Sequence, residues 1–384
     1  GVYRYRTRTP KVELGQSRLR HHLPLRLSGI LELALWPQPE ALHPEDVLFL
    51  DTETTGLTRG AGTLPFLTGL ACFENNQLVR ELVLLSEPGG EEAYLDYIQK
   101  CFRRFQYLVS YNGRAFDVPL LKNRLILNRK PGLPEFLHFD LLHIFRRLYP
   151  KGSLSGYRQM DLEQHVLQYT REGDTPGAEI PQIYFDYVKY GHDGGMAGIF
   201  EHNLTDLSGM VLLFLEAIRM YDERDSARGA VRSGLARILL RNRRGEEAGQ
   251  LLGEALQTAE ANSDSEEDQV GSLRYRDFLL LGQLQRRRGR FAEAAAVFEE
   301  VIKRYDCPYA RMALAKLLEH RLKDFPAALA QTDELLEKER LAAQAAVNNR
   351  SDDAPVLPGS HIYSASELQR RRDRILKKQA RAAG

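Results

Sequence analysis

Asp51 and Glu53 stand two positions apart in FLDTETTGL, at the end of an apolar run that reads as a strand. Side chains at i and i+2 of a strand share a face, so both carboxylates project together. Carboxylates that close repel one another and raise each other's pKa unless a cation lies between them, and hard divalent ions such as Mg²⁺ or Mn²⁺ prefer such oxygen ligands. The pair alone is a weak signal. The Thr-Thr-Gly-Leu behind it strengthens the reading, because small residues and a glycine let a phosphate backbone come close. Two further acids bear on it. Asp117, in SYNGRAFDVPLL, falls at a helix start just after a strand, where an N-cap is the plain structural alternative. Asp206, in FEHNLTDLSG, falls one turn after His202, so the two face one way; a solvated helix position is its plain alternative.

The elements that must position these acids are legible in outline. Residues 47–51, 68–73 and 78–85 read as an antiparallel meander with turns around Gly60-Ala61-Gly62 and Glu74-Asn75-Asn76. A helix with apolar positions Tyr94, Leu95, Ile98 and Phe102 follows over 91–105, then a strand over 107–112. A further helix opens near Phe116–Pro119, with proline in its first turn. This order predicts a mixed sheet covered by helices. The pattern loosens over 168–197, expected to be a long ordered loop over the sheet, and helical character returns over 198–221.

Beyond about residue 223 strands give way to alanine, leucine and arginine. Three segments rhyme, RRGEEAGQLLGEAL, RRGRFAEAAAVFEEVI and LKDFPAALAQTDELLE, with Phe291 and Phe325 a tetratricopeptide period apart and an acidic insert at 262–268 stretching the first interval. A generic helical bundle is the alternative. The expected division is a basic segment (1–44), an α/β domain (45–222), an all-α tetratricopeptide-like repeat domain (223–347), and a linker with a basic terminal helix (348–384).

At 384 residues, 43% hydrophobic and 27% charged, the chain has the composition of a folded globular protein. Its formal net charge of +1 makes no general case for nucleic acid, so any such case rests on local clusters. Basic residues gather at Arg4, Arg6, Arg8, Lys11, Arg18, Arg20 and Arg26, and again between Arg370 and Arg381. Solvated ends explain such runs equally well. Cys72, Cys101 and Cys307 lack the spacing of a zinc site or disulfide framework, and no apolar run reaches the roughly 18–20 residues needed to cross a bilayer. A reducing cytoplasm is the expectation. The sequence opens on Gly1 rather than Met, which leaves room for a natural segment ahead of it.

The ordered set Asp51, Glu53, Asp117 and Asp206, within DTETTGL, YNGRAFDVP and EHNLTD, resembles the three motifs of the DEDD (DnaQ-like) exonucleases on the ribonuclease H fold. TPGAEIPQIYFDYVKYG with EHNLTDL, preceded by FDLLHIFRRLYP, is similar to the bacterial YprB-type branch, the mitomycin repair factor B exonucleases. The resemblance covers about residues 45–220, and the helical region more loosely.

The resemblance implies a 3′-to-5′ exonuclease using two Mg²⁺ or Mn²⁺ ions about 4 Å apart, held by Asp51, Glu53, Asp117 and Asp206, with Asp51 bridging. His202 is the implied general base, although it precedes Asp206 by four positions, where the histidine subclass has five. Asn203, Tyr190 and His192 are alternatives for handling the water. Thr54, Leu57, Asn112 and Phe116 match substrate-contacting positions, with core packing the alternative for Leu57 and Phe116. His138 and His165 read as structural. Arg103, Arg104, Arg114, Lys122 and Arg124 are candidates for tracking phosphates, or for a solvated face. The implied substrate is DNA, in repair, with a helicase partner. An exoribonuclease, or a catalytically silent nucleic-acid adaptor, is the alternative.

Overall fold

The computed structural model describes residues 1–9, 13–14, 17–18, 27–36, 42–56, 62–75, 77–227, 229–261, 268–348 and 363–383. The chain divides into two compact units, Gly1–Asn242 and Arg243–Gly384. The first is built on a six-stranded mixed sheet, with helices on both faces.

The strands are β1 (Val2–Thr9), β4 (Val47–Thr54), β5 (Pro65–Glu74), β6 (Gln77–Leu85), β7 (Tyr107–Ser110) and β8 (Leu137–Asp140), ordered β1-β6-β5-β4-β7-β8. A separate short pair joins β2 (Glu13–Leu14) to β3 (Ser17–Arg18). β4 is central, antiparallel to β5 and parallel to β7. Its run VLFL is buried on both faces, which is why it reads as continuous rather than alternating apolar sequence. Leu48 and Leu50 join a core with α2 (Glu91–Phe102) and α3 (Asp117–Leu127), through Tyr94, Leu95, Ile98, Val118 and Leu121. Phe49 turns to the other face, meeting Phe214 edge-on at 5.4 Å and Phe73 at 6.0 Å.

On the Phe49 face lie α1 (Ser28–Ala34), α4 (Leu141–Leu148), α5 (Gln159–Leu162) with a π turn over Glu163–Leu167, α6 (Ile180–Tyr190) and the 27-residue α7 (Met196–Asp222). The expected long loop over 168–197 is therefore interrupted. Residues 180–190 form α6 because Ile180, Ile183, Tyr184 and Tyr187 repeat at helical spacing behind Pro181, and bury against Phe66 and Leu84. The glycines of GHDGG, which loosen the pattern, only end that helix: Gly191 takes a left-handed C-cap.

The basic start of the chain is not a free segment. β1 pairs with β6 along its whole length, Arg6 and Arg8 bond Glu74 (2.6 and 3.1 Å), and Arg4 lies over the Tyr97 ring. Lys11, Arg20 and Arg26 lie outside the described residues. The division at 242 also falls a helix later than the composition change at 223. α8 (Gly229–Arg241) packs on α4 and α1, and the next residue, Asn242, donates to the Glu32 carbonyl at 3.0 Å.

The second unit holds α9 (Gly245–Ala261), α10 (Asp268–Arg287), α11 (Phe291–Tyr305), α12 (Pro308–Leu317), α13 (Phe325–Asn348) and α14 (Ala365–Ala383), each packed on the next in chain order. Phe291 and Phe325 each open a helix. The acidic insert (262–267) and the linker (349–362) lie outside the described residues. Three cations of the basic tail converge on one acid: Glu319, with no exposed side-chain surface, accepts from Arg371 (2.6 Å), Arg374 (2.9 Å) and Lys378 (2.8 Å), while Arg372 donates to Asp333 (2.8 Å). No helix among the described residues is long and apolar enough to cross a membrane.

Candidate active site

The site lies where β4 and β7 end, the crevice at carboxyl ends of parallel strands where open sheets take ligands. Beyond Leu50 the strand emerges from the core and Asp51, Thr52, Glu53 and Thr54 become half-buried. Asp51 and Glu53 share the α7 face. Thr52 points the other way and donates its hydroxyl to Asp117 Oδ1 at 2.5 Å, tying the start of α3 to the strand.

α7 brings the rest. Asn203 donates Nδ2–H to Asp51 Oδ2 at 2.6 Å. His202 Nε2 lies 3.1 Å from Asp206 Oδ2, one turn on, and 3.7 Å from Glu53 Oε1. Its Nδ1 meets Asp174 Oδ1 at 2.6 Å, and a carboxylate there requires a proton on Nδ1. Arg171 bonds Asp206 Oδ1. Glu53, His202 and Asp206 offer ligand atoms that all lie within 4.8 Å of one another.

The electrostatics follow from burial and crowding. Asp51 is pushed well above the usual carboxylate range by burial and then by the charges of Asp206, Glu53 and Asp117. Burial raises Glu53 to about 7 against the opposing charge of His202, and raises Asp117 to about 6 despite its bond from Thr52. Burial alone would lower His202, but its bonds to Asp206 and Asp174 and the charge of Glu53 raise it to about 9. A divalent cation bound among them would relieve such crowding of carboxylates. The donor set is mostly carboxylate oxygens, which fits hard divalent ions such as Mg²⁺ or Mn²⁺. Glu53, His202 and Asp206 are thus brought together, with Asp51 and Asp117 near enough for their charges to act on the group, and these carboxylates could hold such ions.

The substrate-side candidates are more scattered in role. Thr54 Oγ1 donates to the Gly56 carbonyl at 2.9 Å and shapes the turn after β4. Leu57 lies outside the described residues. Asn112 adopts a left-handed φ of 60°, and its backbone N–H donates to Asp140 Oδ1 at 2.9 Å. Arg114 N–H donates to the other oxygen of Asp140, so this carboxylate fixes the turn that delivers Asp117. Phe116 stands beside Asp117, 47% exposed. Tyr190 and His192 pair with each other, ring centres 5.5 Å apart, at the C-terminal end of α6 and do not hydrogen-bond the carboxylates. His138 bonds Ser110 at 2.7 Å and is pushed down to about 3 by burial and by Arg114, Lys122 and His143; His165 packs edge-on against Tyr149.

Three of the four arginines expected near phosphates have other engagements. Arg104 pairs with Glu74, Arg124 with Glu91, and Arg114 donates to the His138 carbonyl at 2.6 Å. Sequence reasoning missed Glu163, Arg171, Asp174 and Gly69. REGD carried the signal for two of them: charges at i and i+3 in a segment without periodicity have no helix face to decorate.

A family model described as the RNase_H superfamily matches residues 48–217. The chain is also 30% identical, over 320 residues, to a Bacillus subtilis (strain 168) protein described as "Uncharacterized protein YprB"; the match covers 79% of this chain and 74% of that one.

Proposed function

Because the chain belongs to the YprB-type family of RNase H-like proteins, we propose that it is a divalent-metal-dependent 3′-to-5′ exonuclease of the DEDD type, acting on DNA. The observation that carries this reading is the grouping of Glu53, His202 and Asp206, with ligand atoms within 4.8 Å of one another, beside Asp51 at the carboxyl end of β4, the histidine being held by a carboxylate. A pair of Mg²⁺ or Mn²⁺ ions bound there supplies charge to stabilise the leaving 3′ oxygen and to activate a water.

The chain's own residues do the rest. Asp51, near the end of the central strand, accepts from Asn203 at Oδ2 and would be one of the residues that hold the ions. Asp117 is fixed by Thr52, and Glu53 and Asp206 flank the imidazole. His202 Nε2 is the proton acceptor. Asp174 at Nδ1 holds the ring's orientation and stabilises the imidazolium once formed. His202 gives up its resting proton more readily as positive charge enters the site. Thr54, Asn112 and Phe116 border the terminal nucleotide, Phe116 offering its exposed ring to a base.

The family resemblance adds a role in DNA repair with a helicase partner, the helical unit being the docking element if its helices are tetratricopeptide-like repeats. Three buried free cysteines suit a reducing cytoplasm. Release of nucleotides from end-labelled single-stranded DNA with Mg²⁺ or Mn²⁺, set against Asp117→Ala and Asp206→Ala, tests the reading. Equal rates in wild type and variants would sink it, and parallel RNA substrates decide between DNA and RNA.

A further inference from the structure

The segment between the π turn and α6 reaches the site through Arg171. Its side chain is 3% exposed and fully engaged. Nε and Nη2 grip the two oxygens of Glu163 at 2.7 Å each, Nη1 donates to Asp174 Oδ2 at 3.1 Å, and Nη2 also donates to Asp206 Oδ1. Glu163 has no exposed surface, and α7 makes room for it with Gly209: a Cβ there would lie 2.1 Å from Glu163 Oε1. Gln159 closes the bracket, its Nε2 donating to the Asp206 carbonyl at 2.8 Å and to Glu163 Oε1 at 2.9 Å.

A surface arginine drawn to a carboxylate cluster would stay solvated and contribute little. Burying an arginine–glutamate pair instead costs desolvation of both ions, so it adds little net stability over an apolar pair. What the buried fork does supply is direction. Asp206 is bonded at Oδ1 by Arg171 and at Oδ2 by His202, which leaves its carboxylate a single orientation.

We propose that Arg171, backed by Glu163, is a positioning residue of the nuclease site that fixes Asp206 through Oδ1 and keeps Oδ2 turned to His202 and Glu53. The inference rests on the nuclease reading above. Partners that hold ligating carboxylates commonly matter 10–100-fold for metal affinity or activity. Arg171 does so from a loop, outside the motifs that carry the acids.

The test uses Arg171→Met/Glu163→Gln, which removes both buried charges together and leaves neither uncompensated, and Arg171→Lys, which keeps the charge and loses the fork. Mn²⁺ binding is read by calorimetry and by the Mn²⁺ electron paramagnetic resonance spectrum, and kcat and KM on labelled single-stranded DNA. The Mn²⁺ dissociation constant should rise about 10–100-fold in the double variant and kcat fall by a similar factor, with KM for DNA little changed. Arg171→Lys should lie nearer the double variant than wild type, and it decides the matter if the double variant proves unfolded by circular dichroism.

Wild-type Mn²⁺ binding and kcat in folded variants would overturn the proposal. So would tighter Mn²⁺ binding in the double variant, which would make Arg171 a competitor of the ion. If wild type binds Mn²⁺ but leaves DNA intact while the variants bind Mn²⁺ more weakly, the latch stands and the nuclease reading falls. If wild type binds no Mn²⁺, both fall.

Discussion

Gly69 faces Asp51 across the β4–β5 pair, and the volume its missing side chain leaves is filled by the amide of Asn203. A Cβ on residue 69 would lie 1.9 Å from Asn203 Oδ1. Asn203 is wholly buried; its Nδ2 bonds Asp51, while Oδ1 has no hydrogen-bond partner and lies against the Gly69 backbone. A weak contact with the glycine Cα–H is all the oxygen gains there. The amide's orientation is set by the carboxylate, since turning it over would put two oxygens together.

Gly69→Ala must therefore displace Asn203 and strand a buried donor from Asp51. A stability loss of about 1–3 kcal/mol is expected in urea unfolding, with a fall in nuclease activity. Gly69→Ala/Asn203→Ala should lose less than the sum of the single variants, because the clash disappears with the amide. Strict additivity would show that the two residues do not compete for this space.

Ions that bind only the folded site must stabilise it by mass action. At 100 times the dissociation constant, Mn²⁺ should raise the unfolding free energy by about 2.7 kcal/mol, seen as a higher melting temperature that EDTA reverses. Asp51→Asn, which removes the charge of a proposed ligand, should largely abolish that shift. A shift of wild-type size in Asp51→Asn would place the ions elsewhere.

The imidazole and its carboxylate partner should separate in degree. His202→Ala removes the proposed proton acceptor, and kcat is expected to fall about 10²–10⁴-fold with KM nearly unchanged. Asp174→Ala keeps the acceptor and loses only its orientation, so the loss should be about 10–100-fold. Asp174→Asn, whose carbonyl can still accept from Nδ1–H, should recover part of it. Indistinguishable rates for wild type and His202→Ala would move the proton to another acceptor.

How much of this the sequence carried depended on whether a signal was local. β4, β5 and β6 were legible because buried strands in succession leave long apolar runs broken by turns. Where the four acids sit was legible because each falls at a motif with a backbone reason: a strand end, a helix start, a helix face. The helix over 180–190 was lost among flanking glycines and prolines, although its own apolar spacing was sound. Gly69 was not legible, because it is small for the sake of a side chain 134 positions away. Glu163 and Arg171 were also missed, because a buried ion pair writes only charges in the sequence, and charges default to surface. The basic tail failed in the same way: Arg371, Arg374 and Lys378 read as a solvated or nucleic-acid-binding run, and instead converge on Glu319.

That convergence has a pH signature of definite sign. Burial alone would raise the Glu319 carboxyl, but hydrogen bonds from Arg374 and Lys378 and the charge of Arg371 outweigh it and push the group from 4.5 down to about 2. A carboxyl depressed in the folded state contributes stability that is complete above its unfolded pKa and is lost as pH falls toward its folded one. The window is therefore about pH 4.5 to 2, and the contribution is on the order of 3 kcal/mol. Glu319→Gln lacks the charge at every pH, so its difference from wild type isolates this group. Hydrogen exchange of α14 amides, compared at matched pH, should show wild type better protected by about two orders of magnitude at pH 6, with the gap closing toward pH 2. A gap that stays constant through that window would mean that Glu319 does not hold α14 by its charge.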